Sequence, residues 1–581
     1  MQRPRVLRRL SRTGLIALAI VAVVGVFAVG DVGAAGTAAP SYPDSSDPLC
    51  VQHPYLCAEQ LDPWTYEGEH YTAGHDEPSV LFYSNKPGSG NSNEYRLTLP
   101  SDPVAPPSQD GTGTTWNFQL RPAFWFGMAM CDDQSAPNPG VRCPADSDRN
   151  IKTSTDPSSP NYLGKTPGSA FMEMQFYPPG WGPISQTDGE GNQDGLWASA
   201  LTIDSDPVNM NTGQPNNPAC QASQGPEPVN WAMVTKSGIS QVPANPFTPF
   251  GEQAQVTSDT LEYHAGDKLV VDMRDTHAGF RVVIHDLTTG QSGSMTASIA
   301  NGFGHALYQP DAKSCIFRPY AFHPMYSTSG PNTRVLWAAH SYNVAYSDEI
   351  GHFEYCTTIA NFKCTSSNNG TDASPDNDDF PCFTAPIVDP SGTTLNTAFS
   401  GCIQADNDFD GPEYQQGNWP GSTGAVASNV TTPVVFSSPL FAEHGHGKLD
   451  DNYRQAAFEN DLPRIEGNDF STNNDCQRHV SNPADPNPGH DCVDPPNGAT
   501  LYPTFSTFNG PGNSCLWEEG GGSFANATNN FGGTPQAEYG DLLLLNYPAA
   551  GFTITQRFND FRNTLSHNPC PVTTPNAEHH H

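Results

Sequence analysis

The sequence predicts an all-β fold, and three observations carry that prediction. Glycine and proline are both abundant, 53 and 55 of 581 residues. Aromatic residues make up 10% of the chain and gather in short runs bounded by Gly, Pro, Asn and Asp. Those runs alternate apolar and polar residues with period two, and segments with a 3.6-residue period are scarce. Many short strands joined by turn-rich loops describe a sandwich or barrel.

The chain opens with a targeting signal. Arg3, Arg5, Arg8, Arg9 and Arg12 precede the apolar run Leu15–Val29, and a small-residue stretch follows. That order is the pattern of a secretory signal peptide over 1–35, with cleavage expected between Ala35 and Ala39. Residues 36–113 read as a polar N-terminal extension, with strand candidates at 79–83 and 95–99. From 114 the signal strengthens. "TTWNFQLRPAFWFGMAMC", "SAFMEMQFYPPGW" (169–181), "GLWASALTID" (195–204) and "EPVNWAMVTKSG" (227–238) are successive aromatic strands. Residues 261–298 form the clearest unit: Leu269, Val271 and Met273 alternate on one strand and Phe280, Val282 and Ile284 on the next. Turns at 264–267, 277–279 and 286–293 make this a three-strand antiparallel meander. Segments 320–328 and 335–356 are expected to continue its sheet.

The phrase "AGDKLVVDMRD…GFRVVIHDLTTGQSGSM" resembles the back-sheet meander of concanavalin A-like jelly rolls, over about residues 114–356. The resemblance implies a jelly-roll sandwich over 114–367, a fold shared by lectins, laminarinase-type glycoside hydrolases and glutamic endopeptidases. The whole chain also resembles a group of long secreted microbial proteins, which implies secretion. Acidic loops occupy 368–421. A C-terminal β/loop region fills 422–578, with strands at "TPVVFSSPLF" and "GDLLLLNYPAAGF" and a short helix expected over 448–466.

Fourteen cysteines in a chain with an export signal read as long loops stapled by disulfides. The sequence does not set their connectivity; it allows local closures at Cys50–Cys57, Cys131–Cys143, Cys356–Cys364, Cys382–Cys402 and Cys476–Cys492, which would leave Cys220–Cys315 and Cys515–Cys570 as the remainder. The net charge of -35, with 26 Lys and Arg against 61 Asp and Glu, speaks against nucleic acid and anionic membranes as partners. Once the signal is cleaved, no segment is apolar enough to hold a membrane. No phosphate loop, G-x-S-x-G elbow or dinucleotide fingerprint occurs. The sequence does not set the oligomeric state.

Four groups of residues could carry chemistry. Asp406, Asp408 and Asp410 precede Gly411 in a D-x-D-x-D-G loop, and Asp376 and Asp378 repeat the theme. Alternate carboxylates of this kind converge on a hard cation, so structural calcium is expected, although position 12 of the loop is Gly417 and the site is not an EF-hand. The stretch "SDEIGHFEYC" holds the second group. Its Glu349 and Glu354 match the outer glutamates of the laminarinase-type catalytic strand, which implies a nucleophile and a general acid/base. The Asp expected between them is Gly351, so the match needs a bulge there.

The same strand supports a different reading. Asp348, His352 and Glu354 share a parity with His340, and His323 and His305 could approach from neighbouring strands as ligands of a transition metal. The third group is Glu173 and Gln175, two apart on one strand face, where a Glu activates water and a Gln stabilises an oxyanion in the glutamic endopeptidases. Aromatics form the fourth: Trp181 is the expected rim residue of a glycan groove, with His323 and His340 beside it. The leading expectation is a glycan-binding or glycan-cleaving protein with a polysaccharide partner. A metal-dependent enzyme, an acid endopeptidase and a non-catalytic surface protein stand behind it.

Overall fold

The computed structural model describes residues 78–84, 86, 88–100, 123–135, 139–143, 158–160, 167–177, 196–205, 208–209, 214–224, 228–325, 342–349, 356–360, 363–367, 387–388, 394–395, 408–409, 434–442, 449, 451–461, 464–465, 505–519, 543–549, 552–558, 560–565 and 568–570. These residues build an all-β sandwich of two large, mostly antiparallel sheets. The first sheet runs in the order Asp560–Leu565, Gln455–Asp461, Pro78–Ser84, Tyr342–Glu349, Ala123–Cys131, Ser169–Tyr177, Trp197–Ser205 and Val229–Met233. The second runs Ser292–Ser298, Gly279–Asp286, Lys268–Thr276, Ser92–Thr98, Val434–Phe436, Cys515–Glu519 and Phe505–Asn509. Short strands pair alongside interior strands: Glu262–Tyr263 with Trp197–Ser205, His323–Pro324 with Ala123–Cys131, and Leu440–Phe441 with Ser92–Thr98 and with Asp451–Asn452.

Alternation decides what lies between the sheets. Along Ala123–Cys131, Phe124, Phe126, Met128 and Met130 enter the core. Met172, Met174 and Phe176 do the same from the next strand, and Val271, Met273, Val282 and Ile284 answer from the second sheet. Aromatic rings join the layers: Tyr95 lies 3.9 Å from Phe126, and Phe436 stacks on Tyr346 at 4.0 Å. Phe82 meets Trp517 edge-on at 5.5 Å. Burial of such rings is the main driving force for closing the sandwich.

The predicted meander is present, with Lys268–Thr276, Gly279–Asp286 and Ser292–Ser298 paired in sequence order. The turn at 264–267 places Gly266 at φ 83° and is closed by the Asp267 carboxylate, which accepts from the His264 N–H at 2.6 Å. Two expectations need correction. The described parts of segments 320–328 and 335–356 do not continue the meander's sheet. His323–Pro324 and Tyr342–Glu349 both pair with Ala123–Cys131 in the opposite layer. The helix expected over 448–466 is instead strand, Asp451–Asn452 and Gln455–Asp461. Gln455–Asp461 lies between Pro78–Ser84 and Asp560–Leu565, and pairing on both sides outweighs the helix propensity of its alanines.

Strands from both ends of the chain are thus interleaved in the same two sheets. Three disulfides reinforce them: Cys131–Cys143, Cys220–Cys315 and Cys515–Cys570. The other four expected pairings involve side chains outside the described ones. No helix among the described residues is long and apolar enough to cross a membrane.

Candidate functional site

Strand parity also sets the outer face of the first sheet. Phe171, Glu173, Gln175 and Tyr177 project away from the sandwich core, in register with Gly127 and Trp125 on one neighbour and with Asp204, Thr202, Ala200 and Ala198 on the other. Glu173 and Gln175, predicted to share a face, do so and touch. The Gln175 amide donates to the Glu173 carboxylate, and its oxygen accepts from the Tyr177 hydroxyl. Trp231 Nε1 then donates to the Tyr177 oxygen at 3.2 Å. The result is one hydrogen-bonded row of carboxylate, amide, phenol and indole. Glu173, Tyr177 and Trp231 are buried, and Gln175 is half-buried. Trp125 and Phe171 meet edge-on at 5.8 Å, and Gly127 makes room for them: a Cβ there would lie 2.5 Å from the Phe171 ring.

A second polar group lies at the end of the same sheet, where Ala123–Cys131 runs out. Asp132 is fully buried and accepts four hydrogen bonds. His305 Nδ1 is 2.8 Å from its Oδ1, the Gln134 N–H 2.9 Å from Oδ1, and the Ser135 and Ser205 hydroxyls 2.8 and 3.1 Å from Oδ2. His305 comes from the hairpin Gly304–Ala306/Phe317–Pro319, which Asn230 docks by accepting from the Gly304 N–H at 2.8 Å. The imidazole stacks on Tyr320 at 4.4 Å and 13°, and the Tyr320 hydroxyl donates to the Cys131 carbonyl. Asp133 adds a half-buried carboxylate.

The electrostatics of this pair follow from its contacts. Burial pushes the Asp132 carboxyl up, but the charge and hydrogen bond of His305, with the Gln134 N–H and Ser135 hydroxyl, outweigh it and hold the pKa below the usual carboxylate range. Burial pushes the His305 imidazole down, and the charge and hydrogen bond of Asp132, with the charge of Asp133, outweigh it and raise its pKa. Both groups are therefore favoured in their charged forms.

The remaining expected residues are placed only in part. Glu349 ends the strand Tyr342–Glu349, opposite Ala123, and the pairing is regular up to that point. His340, Gly351, His352, Glu354 and Trp181 lie outside the described residues, so the bulge required at Gly351 does too. His323 Nδ1 pairs with Asp275 Oδ1 at 2.7 Å, tying the first sheet to the second. The cluster of metal donors found among the described residues contains His305 but not His323. Asp408 belongs to the two-residue strand Asp408–Phe409, parallel to Arg464–Ile465, while Asp376, Asp378, Asp406 and Asp410 lie outside the described residues.

The sequence reading missed Asp132 and Asp133. The signal was available in "CDDQS": an Asp followed two residues on by a bonded N–H is an Asx turn, a natural end to a strand. Comparison with known proteins finds no matching family model, no similar curated protein and no similar solved structure.

Proposed function

We propose that the chain is a secreted protein that binds or cleaves glycans through the Glu173–Gln175–Tyr177 row on the outer face of the first sheet. The observation that supports this reading is the row itself, with Gln175 held between a buried carboxylate and a phenol. Carboxylate, amide and phenol in line are the groups that bind sugar hydroxyls, and Gln175 is the member that solvent reaches. Cleavage needs a second carboxyl. Asp204 is in register with Phe171 on the same face, which makes it a diagonal neighbour of Glu173 at a Cα spacing of about 7–8 Å. Inverting hydrolysis requires the Glu173 and Asp204 carboxyls to stand about 6.5–9.5 Å apart, which leaves room for water, and retention requires about 5–5.5 Å. Structural calcium on Asp406, Asp408 and Asp410 belongs to the same proposal and is read as the calcium content of the purified chain.

Acid peptide hydrolysis is the second reading. The direct Glu173–Gln175 bond favours it, since it pairs a water-activating carboxylate with an amide able to meet an oxyanion. One experiment tests both. The full chain, Glu173→Gln and Asp204→Asn are assayed against polysaccharide and protein panels at acid and neutral pH. Glycan hydrolysis that falls by about 10²-fold or more in both variants supports the first reading. Protein hydrolysis lost only in Glu173→Gln supports the second. Glycan binding without turnover, weakened in Gln175→Ala, keeps the binding half of the first. Neither binding nor turnover by the parent chain rejects both.

A further inference from the structure

We propose that Asp132, Asp133 and His305 form a binding site for a first-row divalent cation of the zinc or manganese type. The site is separate from the Glu173 row and does not depend on the reading of that row. Its three donors come from two segments 173 residues apart, counted from Asp132 to His305, and one ligand atom from each lies within 4.8 Å of the others. Two donors bonded to one ion at ~2 Å each stand about 3–4 Å apart. Asp132 Oδ1 and His305 Nδ1, at 2.8 Å, already have nearly that spacing. Asp133 is half-buried, and its Oδ1 accepts from the Gln134 side-chain amide at 2.7 Å.

The donor chemistry points the same way. One imidazole and two carboxylates form a mixed nitrogen and oxygen donor set, which suits zinc or manganese better than calcium.

The surroundings hold the donors in place before any ion arrives. The Ser135 and Ser205 hydroxyls fix Asp132, and its own N–H donates to the Gly168 carbonyl at 2.9 Å. Tyr320 fixes the plane of the imidazole. The Cys131–Cys143 disulfide closes the same turn. Outer contacts of this kind commonly change metal affinity by about 10–100-fold.

The test is calorimetric titration of zinc chloride into the full chain, with His579, His580 and His581 replaced by alanine so that their imidazoles do not compete. Saturable binding of one equivalent is expected. Asp133→Asn should weaken it by about 10-fold or more, and Ser205→Ala by about 10-fold. His305→Gln should abolish it. Asp133 is not a core residue, so Asp133→Asn keeps the test decisive if His305→Gln fails to fold. Absence of saturable zinc binding overturns the proposal, and so does binding that Asp133→Asn leaves unchanged.

Discussion

Replacing Phe436 with alanine should destabilise the whole sandwich, not a C-terminal part of it. Phe436 is fully buried and sits among Tyr346 at 4.0 Å, Phe126 at 6.2 Å and Trp517 at 6.3 Å. Losing the ring removes about 2–3 kcal/mol of transfer free energy. Its two stacked contacts, on Tyr346 and Trp517, add about 0.5–1.5 kcal/mol each. The sum agrees with the ~3–5 kcal/mol usual for Phe→Ala in a core. Phe436→Leu keeps most of the volume and should cost under ~1.5 kcal/mol. The assay is equilibrium denaturation under non-reducing conditions, followed by far-UV circular dichroism and by amide exchange of Val282 and Ile284. These residues lie on the meander, far from Phe436 in sequence but in the same core cluster. Both probes should shift together. A loss under ~1 kcal/mol, or a second transition in which the meander keeps its parent stability, would show that Val434–Phe436 is not integral to the core.

Two further predictions follow from the disulfides and the buried ion pair. Removing Cys220–Cys315, which spans 95 residues, should cost about 4–5 kcal/mol, and removing Cys131–Cys143, which spans 12, about 3 kcal/mol. Denaturation midpoints of the two double Cys→Ala variants check the ranking, and the reverse order would contradict it. In EDTA, the Asp132–His305 pair should stabilise the fold within a bounded pH window. The Asp132 share is present above its ordinary 3.8 and is lost as pH falls through its lowered folded pKa. The His305 share is fully present below its ordinary 6.5 and is lost as pH rises through its raised folded pKa. The stability difference between parent and His305→Gln should therefore be greatest between about 4 and 6.5 and shrink on both sides. A difference that stays constant into the alkaline range would refute the linkage.

Much of the strand inventory was legible because alternation is a local property. "AFWFGMAM" and "KLVVDM" state which residues face inward without reference to any neighbour. Alternation does not say which strand lies alongside. For that reason Tyr342–Glu349 was assigned to the meander's sheet, although its partners are Pro78–Ser84 and Ala123–Cys131. The same limit explains the misread 448–466 segment, whose strand identity comes from its two neighbours. In the site, Glu173 and Gln175 were legible because two residues apart on a strand means one face. Asp132 and His305 were not, since 173 residues separate them and only the docked hairpin brings them together.

The strand order of the first sheet has a consequence for how the molecule is made. Pro78–Ser84 leaves the ribosome early, yet its two neighbours are Tyr342–Glu349 and Gln455–Asp461. It therefore spends most of synthesis with both backbone edges unpaired, a state open to pairing with other chains. Loops this long must close before their contacts stabilise anything, which makes folding slow. A chain cut before residue 434 would lack partners for strands near the middle of both sheets. The working unit is accordingly the uninterrupted polypeptide, and C-terminal truncations should yield aggregates in place of smaller folded modules.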